Sequence, residues 1–138
     1  MHNVLYVDMV GDLFHYGHVE YLKRCKDMTH VLKVGVHNDA DVEIYKRKPV
    51  LTMDERIKVI EACKFVDEVI PNAPLKVSKD FLRMHNIDKV VHANDISEDS
   101  VNTMYSDIVG DLMFIPYTEG ISTTLIIKRI KTRDDLKV

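Results

Sequence analysis

The chain has 138 residues, 46% of them hydrophobic, which suits one α/β domain over residues 1–138 and is too short for two. A formal net charge of −3 gives no general basic field, so no nucleic-acid partner is expected and phosphate must be held by a few placed groups. No apolar run approaches the ~20 residues that span a bilayer, and the N-terminus lacks a basic stretch leading into an apolar one, so a cytoplasmic protein is expected.

Taken in chain order, short apolar runs alternate with amphipathic stretches. Val4–Val7 reads as a buried strand, and His18–Met28 as a helix with Tyr21, Leu22, Cys25 and Met28 on one face. Val31–Val36 reads as a second strand, and Asn38–Leu51 as a polar, lysine-containing loop. Thr52-Met53-Asp54-Glu55 fits a capping box, so a helix starts there with Ile57, Ile60 and Cys63 inward. Phe65–Ile70 is a third strand closed by Pro71, and a helix follows Ser78. Asp88–His92 is a fourth strand. Val101, Met104, Tyr105 and Ile108 mark a helix ended by Gly110. Leu112–Ile115 is a fifth strand stopped by Pro116, and Ser122 caps a last helix through Lys131. Cys25 and Cys63 sit at helical core spacings, so buried free thiols are expected; no protein-bound metal is, since zinc needs more ligands at closer spacing.

This alternation implies parallel pairing with right-handed crossovers, hence a Rossmann-like, doubly wound, five-stranded parallel sheet. Such sheets bind ligands beyond the carboxyl ends of their strands. The turns after strands one, four and five therefore matter most, and they hold the unusual residues. After strand one comes Gly11-Asp12-Leu13-Phe14-His15-Tyr16-Gly17-His18. Its histidines lie three apart at the mouth of a helix, where free N–H groups and the dipole attract anions, and Gly17 permits close approach. The same spacing also suits a metal-binding or surface pair. After strand five comes Thr118-Glu119-Gly120-Ile121-Ser122-Thr123-Thr124, whose hydroxyls gather at another helix start. They form either a second phosphate cradle or an ordinary Ser/Thr cap.

Together the two motifs resemble the H-x-G-H and R-T-E-G-I-S-T signatures of the cytidylyltransferase family. Pro49–Pro74 resembles the middle segment of that family. Val91-His92-Ala93-Asn94-Asp95-Ile96 is similar to the H-G-N-D-I stretch of its phosphoethanolamine members. The resemblance implies transfer of CMP from CTP to a phosphorylated alcohol, with pyrophosphate leaving in line and no covalent enzyme intermediate. Catalysis would then be positioning plus charge stabilisation. On this resemblance His15, His18 and Lys46 are the catalytic residues, with Lys48 the alternative lysine. Val10, Gly11, Asp12, Gly17, Arg56, Asp95, Tyr117, Thr118, Glu119, Gly120, Ser122, Thr123 and Thr124 are assigned to the nucleotide. Arg56 holds either phosphate or the loop, and Asp12 organises its turn. Asp95 and Tyr105 are assigned to the acceptor. Mg²⁺ is expected to arrive with CTP, bridging phosphate oxygens.

Two positions depart from the family. Tyr117 stands where the second signature begins with arginine, removing a permanent charge and a bidentate donor. Met9 stands where glycine is usual. Lys76, Lys79 and Lys128 are candidates to supply the missing charge. Without tryptophan, and with Leu75 where phosphocholine enzymes carry one, an aromatic cage for a quaternary ammonium is not expected. Phosphoethanolamine therefore ranks first as acceptor, glycerol 3-phosphate second and phosphocholine third. The other readings are an adenylyltransferase of the same superfamily and a catalytically weak nucleotide-binding protein. Lys64–Val69 resembles a dimer-contact stretch, so a homodimer is expected. No amphipathic C-terminal tail is present, so no stable membrane binding is expected.

Overall fold

In the computed structural model, which describes residues 1–138, the first apolar run forms strand β1 (His2–Met9). Helix α1 (Tyr16–Lys26) and strand β2 (Thr29–Val36) follow. Helices α2 (Asp39–Tyr45) and α3 (Met53–Glu61) lead to the short strand β3 (Glu68–Ile70). Then come α4 (Lys79–Met84), β4 (Lys89–Ala93) and α5 (Glu98–Met104). A 3₁₀ segment (Ser106–Asp111), β5 (Leu112–Ile115) and α6 (Thr123–Lys131) complete the chain. The five strands form one sheet, all parallel, in the order β3-β2-β1-β4-β5. This is the Rossmann-like arrangement expected from the alternation of elements.

Both faces of the sheet are covered, which is why its strands read as nearly continuous apolar runs. Side-chain alternation along β1 divides the core. Leu5 and Val7 pack with Leu22, Leu32, Val34 and Ile60 beneath α1 and α3. Tyr6 points to the other face and packs with Val77, Leu82, Val90 and Tyr105. The chain winds outward from β1 to β3, then crosses back to β4, so the direction reverses between β1 and β4. The β1–β2 ladder runs to Met9↔Val36, whereas the β1–β4 ladder ends at Tyr6↔Val90. The two central strands part beyond that point, and a crevice opens at their carboxyl ends.

Three elements differ from the sequence expectation. Within the expected loop Asn38–Leu51 the chain forms α2, nucleated by the Asn38 side chain, which accepts the Asp41 N–H at 2.7 Å. Only Val42 of α2 is buried, so its apolar stripe is too thin to show periodicity. The third strand is confined to Glu68–Ile70, because Asp67 is drawn into side-chain bonds with the Leu32 N–H and Lys26 Nζ. The expected Val101–Gly110 helix breaks into α5, capped by Ser97, and the 3₁₀ segment, where Ile108 leaves helical geometry (φ −127°, ψ 24°). No helix is long and apolar enough to cross a membrane.

Candidate active site

A cleft of about 740 Å³ occupies the crevice at the carboxyl ends of β1 and β4. Its first wall is the turn from β1 into α1. Gly11 (φ +68°) and Leu13 (φ +48°) both take the left-handed conformation, which folds the chain back sharply enough to present His15 at the helix mouth. Gly17 must lack a side chain: a Cβ there would stand 2.8 Å from the His15 ring and 2.9 Å from Ile121. His15 Nδ1 accepts the Gly17 N–H at 3.1 Å, and His18 Nδ1 accepts the His15 N–H at 3.1 Å. The two imidazoles thus cap α1 reciprocally, a role usually taken by Ser/Thr and Glu.

This capping sets their chemistry. A nitrogen that accepts an amide hydrogen cannot carry its own proton, so each neutral ring holds its proton on Nε2. Burial lowers the pKa of His15. Burial, with repulsion from His15 and Lys46, brings His18 down to about 4 despite the opposing pull of Asp12. Both rings are therefore neutral at pH 7 and each keeps one Nε2–H donor. Stacking of His18 on Phe14 (centroids 5.1 Å apart, 9° between planes) fixes its orientation.

The opposite wall joins the loop after α2 to the start of α6. Asp12, 4% exposed, binds both the Val50 and Leu51 N–H groups at 2.8 and 2.9 Å, and its carbonyl accepts from the Thr123 hydroxyl at 2.8 Å. One buried carboxylate thereby ties the histidine turn to both remaining walls. Lys46, at the end of α2, lines the cleft; burial and then Arg47 lower its pKa, against the pull of Asp12 and Asp95. Val10, Gly11, Asp95, Tyr117, Thr118, Ser122, Thr123 and Thr124 also line it.

Several assigned residues lie elsewhere. Arg56 is fully buried behind the wall. Its Nε donates to Leu51 O, its Nη1 to Val10 O, and its Nη2 to His37 O and Asp39 Oδ1. Every branch is spent on holding three chain segments together, so of its two expected roles the geometry leaves the structural one. Tyr105, assigned to the acceptor, is fully buried below the cleft and donates to Asp8 Oδ1 at 2.6 Å. Burial first, then Asp8, pushes its pKa well above the ordinary phenol value. Glu119 and Gly120 are exposed outside the cleft; Gly120 (φ +94°) serves the turn. Lys48, Lys76 and Lys79 do not line it, and Lys128 lines a smaller neighbouring hollow.

Three residues of this region were not read from the sequence. Asp8 lines the floor with a side chain only 1% exposed; Oδ1 is held by Tyr105, while Oδ2 lies 3.4 Å from His37 Nε2 and has no hydrogen-bond partner. A carboxylate directly after the apolar run Val4–Val7, with Met9 and Val10 beyond it, was the available signal. Arg47 lines the cleft beside Lys46. Arg24, on α1, clamps the β5–α6 loop by donating to Pro116 O at 2.8 Å and Thr118 Oγ1 at 2.6 Å. It had no signal, because its partners lie more than ninety residues away in sequence. No three His, Cys, Asp or Glu side chains converge in a metal-binding group.

The arrangement offers neutral imidazole donors, two adjacent cations and hydroxyls around one cleft, which is suited to phosphate chemistry. The family model described as cytidylyltransferase-like matches residues 11–129, spanning all these walls. An ethanolamine-phosphate cytidylyltransferase of Dictyostelium discoideum is 38% identical over 138 residues, covering 96% of this chain and 38% of that protein. Choline-phosphate cytidylyltransferase 2 of Arabidopsis thaliana is 40% identical over 140 residues, covering 91% of this chain and 44% of that one. The chain thus spans less than half the length of these curated relatives. The crystal structure of a lipopolysaccharide core biosynthesis protein from Thermoplasma volcanium GSS1 superposes with a TM-score of 0.68 at 19% identity, covering 86% of this chain and 98% of that one, a likeness of fold. With the family match running through both signature turns, the chain belongs to the cytidylyltransferase-like family.

Proposed function

We propose that this domain transfers CMP from CTP to phosphoethanolamine, giving CDP-ethanolamine and pyrophosphate for phospholipid synthesis. The observation that carries the reading is the reciprocal histidine cap. It fixes two Nε2–H donors without spending the proton that developing phosphate charge would need. In the step itself, an oxygen of the acceptor phosphate forms a bond to Pα of CTP, the bond from Pα to the bridging oxygen breaks, and pyrophosphate leaves with the charge. His15, His18 and Lys46 face the triphosphate; Thr118, Ser122 and Thr124 supply hydroxyls along the other wall, and Thr123 ties that wall to Asp12. Mg²⁺ would come with CTP and neutralise part of the triphosphate charge.

Asp8 favours a primary ammonium on the acceptor. Its carboxylate lines the cleft floor, with Oδ2 buried 3.4 Å from His37 Nε2, and a carboxylate accepts N–H hydrogen bonds, which a quaternary ammonium cannot donate. Relatives named for ethanolamine phosphate and for choline phosphate both match, so their names support a phosphorylated amino alcohol, and the choice of a primary ammonium rests on Asp8.

Release of pyrophosphate, measured with purified protein and Mg²⁺ over CTP and ATP against phosphoethanolamine, glycerol 3-phosphate and phosphocholine, tests the reading. CTP with phosphoethanolamine should give the largest kcat/KM. Preference for ATP would make the protein an adenylyltransferase, and nucleotide binding without turnover would make it a binding protein. We also propose a cytoplasmic homodimer whose contact includes Lys64–Val69, supported by the open sheet edge at β3. A single-protomer mass by light scattering at assay concentration would remove that part.

A further inference from the structure

We propose that Arg47 is a phosphate-binding guanidinium of this cleft, gripping the outer phosphates of a nucleoside triphosphate in place of residue 117. The proposal rests on the nucleotide reading above and adds one residue to that site.

Tyr117 lines the cleft but brings no charge, and its hydroxyl makes no hydrogen bond to the protein. The chain around it is already fixed. Its N–H donates to Asn94 Oδ1 at 3.1 Å, and Arg24 holds both Pro116 O and Thr118 Oγ1. Arg24 itself does not line the cleft, so it acts as a strut. Arg47 differs on each count. It lines the cleft, and its single hydrogen bond to the protein is a long one, Nη1 to Thr124 Oγ1 at 3.4 Å. Of the five N–H groups of a guanidinium, four are left for a ligand.

The position of Arg47 is set from both sides. Lys46 N–H bonds to Val42 O at the end of α2, and Asp12 grips Val50 and Leu51 just beyond. Arg47 is therefore held across the cleft from the histidine turn, with its head at the first turn of α6. Lys46 lines the same cleft beside Arg47, and burial first, then the Arg47 charge, lower its pKa. Two neighbouring cations that line one cleft and form no salt bridge suit a polyanion between them, and a guanidinium matches two phosphate oxygens in a planar fork.

Calorimetric titration of the whole chain with inorganic tripolyphosphate, CTP and CMP tests this. Arg47→Gln should weaken tripolyphosphate and CTP by about tenfold to a hundredfold, as expected for one lost charge-assisted contact, and should leave CMP within about twofold. Arg47→Lys should fall between, keeping charge but losing the fork. In the Arg47→Gln background, Tyr117→Arg should recover most of the lost affinity, showing that the two positions exchange. Lys131→Gln, at the far end of α6, removes an equal charge and should change nothing beyond about twofold. The proposal is overturned if Arg47→Gln binds tripolyphosphate as well as the parent or if CMP suffers as much as CTP. It is equally overturned if Tyr117→Arg recovers nothing or if the parent binds no tripolyphosphate. An Arg47-dependent tripolyphosphate site in a chain that ignores CTP would instead end the cytidylyl reading and leave Arg47 in place.

Discussion

The proposed function gives His18 two separable roles, and they predict different outcomes for different substitutions. Nδ1 accepts the His15 N–H at 3.1 Å and closes the first turn of α1; Nε2–H, on a ring that lines the cleft, is the donor proposed for phosphate. Asparagine places its Oδ1 near the position of Nδ1 but reaches no further, so His18→Asn keeps the cap and deletes the outer donor. His18→Ala deletes both. Removing one preorganised donor to developing charge lowers turnover by about 10²–10³-fold. Losing a cap costs about 0.5–2 kcal/mol, or roughly 3–5 °C of melting temperature per kcal/mol in a chain of this size. Both variants should therefore lose two to three orders of magnitude in kcat for pyrophosphate release with CTP and phosphoethanolamine. Only His18→Ala should also lose several degrees of melting temperature. If His18→Asn turns over within threefold of the parent, the outer nitrogen does not serve the transition state. If the two variants melt alike, the imidazole is not the cap.

Further predictions follow from buried groups. The pKa of His18 is about 4 folded against 6.5 free, so between those values the unfolded chain binds more protons, and stability falls as pH drops through that window and levels off below it. The parent should lose about 2 kcal/mol more than His18→Asn between pH 7 and pH 5, measured by urea unfolding; equal losses would show that His18 protonates freely in the folded state. Arg56→Ala leaves three carbonyls and the Asp39 carboxylate without their shared donor and should destabilise by about 3 kcal/mol or more. An unchanged urea midpoint would contradict that assignment. Asp8→Asn should raise the KM for phosphoethanolamine at least tenfold and leave the KM for CTP nearly unchanged; an equal rise in both would place Asp8 in folding rather than in acceptor binding.

The sequence by itself determined the features whose causes are local. Runs of four to six residues between helical periods specified five parallel strands, and side-chain caps placed helix starts at Thr52, Ser78 and Ser122, where the structure has them. The histidine and hydroxyl motifs were legible for the same reason, each being one turn of chain with a strand before it and a helix after. Tertiary structure alone decided which side chains face the cleft. The family match left Arg56 to hold either phosphate or the loop. It is spent on Val10 and His37, forty-six and nineteen residues away, and no local pattern reports that. Tyr105 sits below the floor because Asp8, ninety-seven residues distant, takes its hydroxyl. Arg47 lay inside the polar, lysine-containing stretch Asn38–Leu51, and no local pattern sets its direction until α2 forms and Asp12 pins the following residues. A local cap or period is set by neighbours within four residues. The direction of a long polar side chain is set by whichever distant groups the sheet brings to meet it, and only the folded chain contains that information.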